Sequence, residues 1–420
     1  MFSTWSALTG LAIAIALIVR KATPAYALVL GALLGGLLGG GGLAETVSAM
    51  ISGSQSMMPS VLRILTSGVL AGALVKTGSA ERIADAIIRA LGARFALAAV
   101  ALATLIVTAV GVFVDIAVIT VAPVALAVGR RAGLPVPALL LAMVGGGKAG
   151  NVISPNPNTI AAADAFGVDL TALMLKNIVP ALCALTVTVL LSSFLAKRCR
   201  ASLADGNPAD GAACGGAGRP SLTAAVTGPL VVVALLAIRP VFGFAVDPLV
   251  ALPAGGIVTI LACGRMRETA AFCEYGLSKV AGVAILLIGT GAVAGIVKNS
   301  GLNADMIALL NACHLPAFAL APLSSVLLSG ATASTTAGVT IAAQTFSGTL
   351  VGAGVPALSA AAMLHAGGTI FDALPHGSFF HATAGAVGMG VKDRLKLFPY
   401  GTLVGATSTV TSVIVYLVSR

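Results

Sequence analysis

The sequence predicts an all-α polytopic membrane protein made of two inverted-topology repeats, whose helices break into hairpins around a polar centre. Three observations carry that reading. First, 58% of the 420 residues are hydrophobic, 9% are charged, and the mean hydropathy is +1.04. A soluble domain carries about 25% charged residues. Second, apolar runs of about 20 residues recur along the chain, the length a helix needs to cross a ~30 Å hydrocarbon core. A membrane β-barrel would show shorter, alternating segments. Third, the two halves echo each other at one common spacing.

The apolar runs cover 5–19, 24–40, 60–76, 95–129, 135–147, 170–196, 221–238, 245–263, 278–297, 316–329, 336–353, 357–371 and 398–418. The run at 95–129 exceeds one crossing, and Gly111 and Asp115 mark a break in it. Between 197 and 220 the chain turns charged and rich in Gly, Ala and Asp. This linker separates a first membrane repeat, 1–196, from a second, inverted one, 221–420. Met1 to Trp5 holds no basic residue, so no cleavable signal peptide is expected and the first helix directs insertion. The six cysteines are scattered without metal-ligand or C-x-x-C spacing.

The repeat shows in short matches. Ala71–Gly78 resembles Ala294–Gly301 at an offset of about 222 residues. An offset of about 220 lays Ser154-Pro155-Asn156-Pro157 over Leu374-Pro375-His376-Gly377, and nearly the same shift sets Asp115 against the hydroxyl-rich 331–336. Charge supplies an independent test. The positive-inside rule puts Arg20/Lys21, the basic residues from Lys76 to Arg94, Arg130/Arg131 and Lys197/Arg198/Arg200 in the cytoplasm. In an inverted second half, Arg265/Arg267 and Lys392/Arg394/Lys396 are cytoplasmic instead. The loops assigned outside are poor in Lys and Arg. Both termini then lie in the periplasm. The net charge of +10 reflects this asymmetry and no nucleic-acid partner is expected.

Polar residues inside the apolar chain mark the candidate site. The stretch Gly145–Thr159 holds Lys148, Asn151, Ser154, Asn156, Asn158 and Thr159 among glycines and prolines. Gly and Pro disfavour helix interiors, so the backbone is expected to break here. In lipid such a break survives only against protein or a watery cavity. Lys148 either snorkels to an interface or lends its charge to an anion. Asn and Ser both donate and accept, which suits hydroxyl groups on a substrate. The matching stretch 365–381 supplies Asp372, His376 and Ser378, and Thr332, Ser334 and Thr335 complete the pocket. Asp115, Asp372 and His376 are the candidates for carrying a coupling proton. No catalytic triad, zinc-ligand pair or phosphate-binding loop is present, so an enzyme or an ATP-driven pump is not expected.

Val112-Phe113-Val114-Asp115, the Asn/Pro segment at 145–159 and His376-Gly377-Ser378-Phe379-Phe380 resemble the gluconate permease (GntP) family, in the wider ion-transporter superfamily. Ser154-Pro155-Asn156-Pro157-Asn158 departs from the Pro-Pro-His-Pro-Gly-Pro pattern of the sugar-acid permeases, and Leu374-Pro375-His376 looks closer to the hydroxybutyrate-permease-like branch. The resemblance implies H⁺-coupled import of a small hydroxy-carboxylate anion across the bacterial inner membrane. It also implies elevator-like scaffold and transport domains and a homodimer. No cofactor is expected beyond the coupling ion, H⁺ or alternatively Na⁺. An exchange carrier of the same fold, a channel, and an intramembrane lipid-modifying enzyme using His376 and Asp372 are the alternatives.

Overall fold

The computed structural model describes residues 2–20, 22–200, 220–236, 246–312, 316–375 and 377–419. The expected linker falls mostly outside them, and so does His376. Among the described residues the regular elements are helices, with one isolated β-bridge from Phe2 to Ser300.

The first half gives α1 (Thr4–Val19), α2 (Pro24–Leu38), α3 (Leu43–Ser56), α4 (Met58–Lys76), α5 (Ser79–Leu91), α6 (Ala96–Ala109), α7 (Val114–Ala132), α8 (Val136–Asn151), α9 (Pro157–Phe166), α10 (Leu170–Lys176) and α11 (Ile178–Arg200). The second gives α12 (Leu222–Leu236), α13 (Pro248–Ala262), α14 (Thr269–Lys298), α15 (Leu302–Ala312), α16 (Leu320–Thr332), α17 (Thr335–Gly352), α18 (Ala357–Gly367), α19 (Ser378–Gly385), α20 (Val391–Lys396) and α21 (Phe398–Val418).

The order of elements recurs, with α14 standing for α3 and α4 fused. α7 to α10 start 221 residues before α17 to α20: Val114 with Thr335, Val136 with Ala357, Pro157 with Ser378, Leu170 with Val391. The glycines that end these helices recur too, Gly133 with Gly354 and Gly167 with Gly388, all at positive φ, where a side chain is strained. The break in the long apolar run falls where Gly111 and Asp115 place it, between α6 and α7.

Matched helices run antiparallel. α14 lies against α3 and α4 with Gly295 and Gly291 at Gly53, and Gly276 and Phe272 at Gly68 and Gly72. α11 packs on its counterpart α21, and Lys176, the last residue of α10 just before α11, hydrogen-bonds Ser419 past the end of α21, Nζ to Oγ 3.2 Å. Small residues permit this closeness, as dense helix packing in lipid requires. The helices form two layers. One gathers α1–α4 and α12–α14 around α14. The other gathers α6–α11 and α16–α21 around α8, α11 and α18.

Two expectations need correction. Among the described residues, four helices are long and apolar enough to cross a membrane, those within Met58–Lys76, Ile178–Cys199, Met266–Lys298 and Val391–Val418. Several other apolar runs form helices of 10–17 residues, short for a full span. Moreover, Gly145, Gly146, Gly147 and Gly150 stay helical, and the break begins only after Asn151. A Cβ on Gly146 would lie 2.1 Å from the Ala101 carbonyl oxygen, and one on Gly150 2.4 Å from that of Leu105. Contact with α6 therefore outweighs the helix cost of glycine, about 1 kcal/mol each.

A Cβ on Gly72 would lie 2.1 Å from the Phe272 carbonyl oxygen. Gly72→Val is therefore expected to destabilise the protein by about 1–3 kcal/mol, read as a lower melting temperature in detergent. Gly385→Ala, in open space on α19, should be neutral or stabilising.

Candidate functional site

Between the two layers lies a cavity of about 510 Å³. Its inner wall is built from helix starts: Asp115 on α7, Asn158 on α9, Thr335 on α17 and Ser378 on α19. Thr23 and Pro24, at the start of α2, lie at its rim on the other layer. Helix N-termini present free N–H groups and partial positive charge, so this convergence favours an anion. The wall respects the repeat. A shift of 221 residues carries Val114, Asp115, Asn151 and Asn158 onto Thr335, Thr336, Asp372 and Phe379, and all eight line the cavity. The expected alignment was thus one residue short.

The two breaks are tied together beneath this wall. Lys148 on α8 reaches across to the second half. Its ammonium lies 2.7 Å from Asp372 Oδ1 and donates to the carbonyls of Thr369, 2.6 Å, and Gly401, 3.2 Å. Both side chains are buried, at 2% and 5% exposure. Asp372 Oδ2 accepts from Thr335 Oγ1 at 2.8 Å. Lys148 is therefore consumed by the protein and does not face the cavity, while Asp372 does both.

In the first break, Asn156 caps α9. Its Oδ1 accepts from the backbone N–H groups of Asn158 and Thr159, 2.9 and 3.1 Å. Its amide donates to Asn151 O and Oδ1, 2.8 and 2.7 Å, and Asn158 Nδ2 donates to the same Oδ1 at 3.1 Å. Thr159 Oγ1 donates to Ser154 O at 2.6 Å. Ser154 Oγ and Asn158 Oδ1 are buried without a partner.

Of the residues expected from sequence, Asp115, Asn151, Asn158, Thr332, Ser334, Thr335, Asp372 and Ser378 line the cavity. Lys148, Ser154, Asn156 and Thr159 lie behind it and hold the break in shape. His376 lies outside the described residues. Lys279 was missed: among the described residues it is the one basic side chain on the cavity wall, exposed on α14. Its only signal was a lysine just inside the 278–297 apolar run, which reads as an ordinary helix end. Arg394 was taken for a cytoplasmic loop residue. It is 2% exposed, its guanidinium 5.4 Å from the Phe380 ring centroid, with Nε and Nη2 unpartnered. Lys148, Asp372 and Arg394 together leave one positive charge beside the cavity.

Comparison with known proteins agrees. The model of the GntP family permeases matches residues 4–251, more than half of the chain. The chain belongs to the GntP permease family. An uncharacterized transporter of Haemophilus influenzae is 51% identical over 414 residues, covering 99% of this chain and 98% of that one. The inner membrane permease YgbN of Escherichia coli is 30% identical over 173 residues, 39% of this chain and 37% of that one. In fold, this GntP permease is similar to the crystal structure of the Alcanivorax borkumensis YdaH transporter, whose topology is described as unusual. The TM-score is 0.68 at 19% identity, over 89% of this chain and 87% of that one.

Removing one partner of a buried ion pair strands the other. Asp372→Asn is expected to cost about 3–5 kcal/mol, seen as a loss of thermal stability, and Lys148→Met combined with Asp372→Asn should recover much of it.

Proposed function

We propose that this GntP permease imports a small hydroxy-carboxylate anion by H⁺ symport across the bacterial inner membrane. The convergence of four helix N-termini on one cavity carries the reading, because their free N–H groups and partial positive charge attract a carboxylate. Lys279 adds the cation that Lys148 was expected to supply. Thr332, Ser334, Thr335 and Ser378 offer hydroxyls to those of a substrate, and the Asn151 and Asn158 amides can read both donors and acceptors. The family indicates a permease rather than an enzyme.

Asp115 is the proposed proton carrier. It faces the cavity at the first turn of α7, its Oδ1 accepts from the adjacent Ile116 N–H at 2.9 Å, and among the described residues no salt bridge fixes its charge. Asp372, bound to Lys148, is the weaker candidate. One proton with one monoanion is electroneutral, so a pH gradient drives uptake at about 1.4 kcal/mol per unit, roughly tenfold accumulation. The antiparallel matched helices support two inverted repeats, 1–196 and 221–420. The cavity between two layers supports an elevator-like motion, with the α14 layer as scaffold and the α8 layer as carrier. A homodimer built on that scaffold belongs to the same proposal.

The test is a thermal-shift screen of purified protein against hydroxy-acids of three to six carbons, followed by uptake into proteoliposomes. A ligand at 100 times its Kd stabilises by about 2.7 kcal/mol. Lys279→Gln should raise KM about tenfold or more for the stabilising anion. Asp115→Asn should abolish the dependence of uptake on a pH gradient. Uptake that follows a Na⁺ gradient instead would transfer the coupling to Na⁺.

A further inference from the structure

One ion-pair cluster lies away from the cavity and breaks the symmetry of the repeat. Arg63 on α4 holds Asp247, which caps α13, in a two-pronged contact, Nε to Oδ1 3.0 Å and Nη2 to Oδ2 2.6 Å. Its Nη1 donates to Asp164 Oδ1 on α9, and Ser60 donates to the other oxygen of Asp164. The cluster therefore bolts α9, part of the first broken element, to the layer that carries α4 and α13. The sequence has no equivalent in the second half. At the offset of about 222 for α4 and 221 for α9, Ser60, Arg63 and Asp164 map onto Gly282, Ile285 and Gly385. Gly282 and Ile285 line the open cavity, and open space surrounds Gly282 and Gly385. One face of the repeat is thus shut by charge where its mate gapes.

Beyond the bolt, a second polar cavity of about 480 Å³ is lined by Ser60, Asp164, Lys298, Gln344 and Ser347. Asp164 stands on its wall, and none of the residues lining it lines the central cavity. The central cavity has Thr23 and Pro24, just after the basic Arg20, at its rim and meets α14 at Lys279–Leu286, whereas the second cavity meets α14 at its far end, Ala294–Lys298. By the positive-inside rule the rim of the central cavity faces the cytoplasm and the second cavity faces out.

We propose that Arg63, Asp164 and Asp247 form the external gate lock of this permease, and that the cavity at Lys298 is the outer vestibule from which the anion enters once the lock opens. This rests on the transporter reading. The lock holds the inward-open state. An unlocked chain shifts toward the outward-open state, in which the second half closes as the first half does here. A partly buried, charge-assisted contact of this kind suffices to bias two otherwise similar packings.

The test uses a matched pair of reporters, Val61→Cys and Val283→Cys, each in a full-length chain whose native cysteines are replaced. Val61 is buried on the locked face, and Val283, its repeat mate, lines the open cavity. Maleimide labelling of the purified protein is compared with and without Asp164→Asn. The lock predicts a reciprocal change, labelling at 61 rising about tenfold while labelling at 283 falls. The exchange Arg63→Asp with Asp164→Arg should reverse it at least in part. Unchanged rates, or a rise at both positions as simple loosening would give, overturn the proposal. Uptake by the wild type, measured separately, decides the transporter reading whatever the labelling shows.

Discussion

The Lys148 ammonium holds the centre of this molecule together. A helix broken within the membrane leaves carbonyls and N–H groups that lipid cannot satisfy. Lys148 meets that need for the opposite repeat. It takes the carbonyl of Thr369 at the second break, the carbonyl of Gly401 on α21 and the carboxylate of Asp372. A shift of 221 residues carries Lys148 onto Thr369 itself, so the contact joins equivalent points of the two halves. The position of Asp372, and through it of Thr335, follows from this one side chain. The cavity wall is thus fixed from behind by Lys148, which does not line it.

The rest of the architecture follows from packing without a hydrophobic driving force. Between helices in lipid, contact area and close approach decide. The glycines of α3 and α4, and Gly146 and Gly150 of α8 with Gly276, Gly291 and Gly295 of α14, serve that end, facing the backbone of a neighbour. Antiparallel packing of α14 on α3 and α4, and of α11 on α21, brings the two halves together, and the cavity forms where their broken elements meet. Charge at Arg63 and Asp164, without a counterpart at Ile285 and Gly385, sets the two halves apart.

Much of this was legible in the chain itself. Asp115, Asn151, Asn158, Thr335, Asp372 and Ser378 stood out because polar residues in an apolar run are costly and need a reason. What misled was the role of individual members. Lys148 looks like a substrate's counter-ion because its partner lies 224 residues away. Asn156 looks like a ligand group, yet its oxygen is spent on capping α9. The glycines at 145–150 read as a break because helix propensity is local, while the α6 backbone they admit is not. Lys279 and Arg394 read as helix-end charges because nothing near them in sequence tells an outward side chain from an inward one.

The sequence by itself determined the membrane class, the helical architecture, the two-fold repeat and the two polar stretches, because each is written in composition, periodicity or spacing along one strand of chain. Only the tertiary structure decided which polar groups face the cavity, which are consumed by one another, and which face of the repeat is shut. Those outcomes depend on distances between residues far apart in sequence. An ammonium 2.7 Å from a carboxylate stabilises the fold, whereas one left open to a cavity is free to bind.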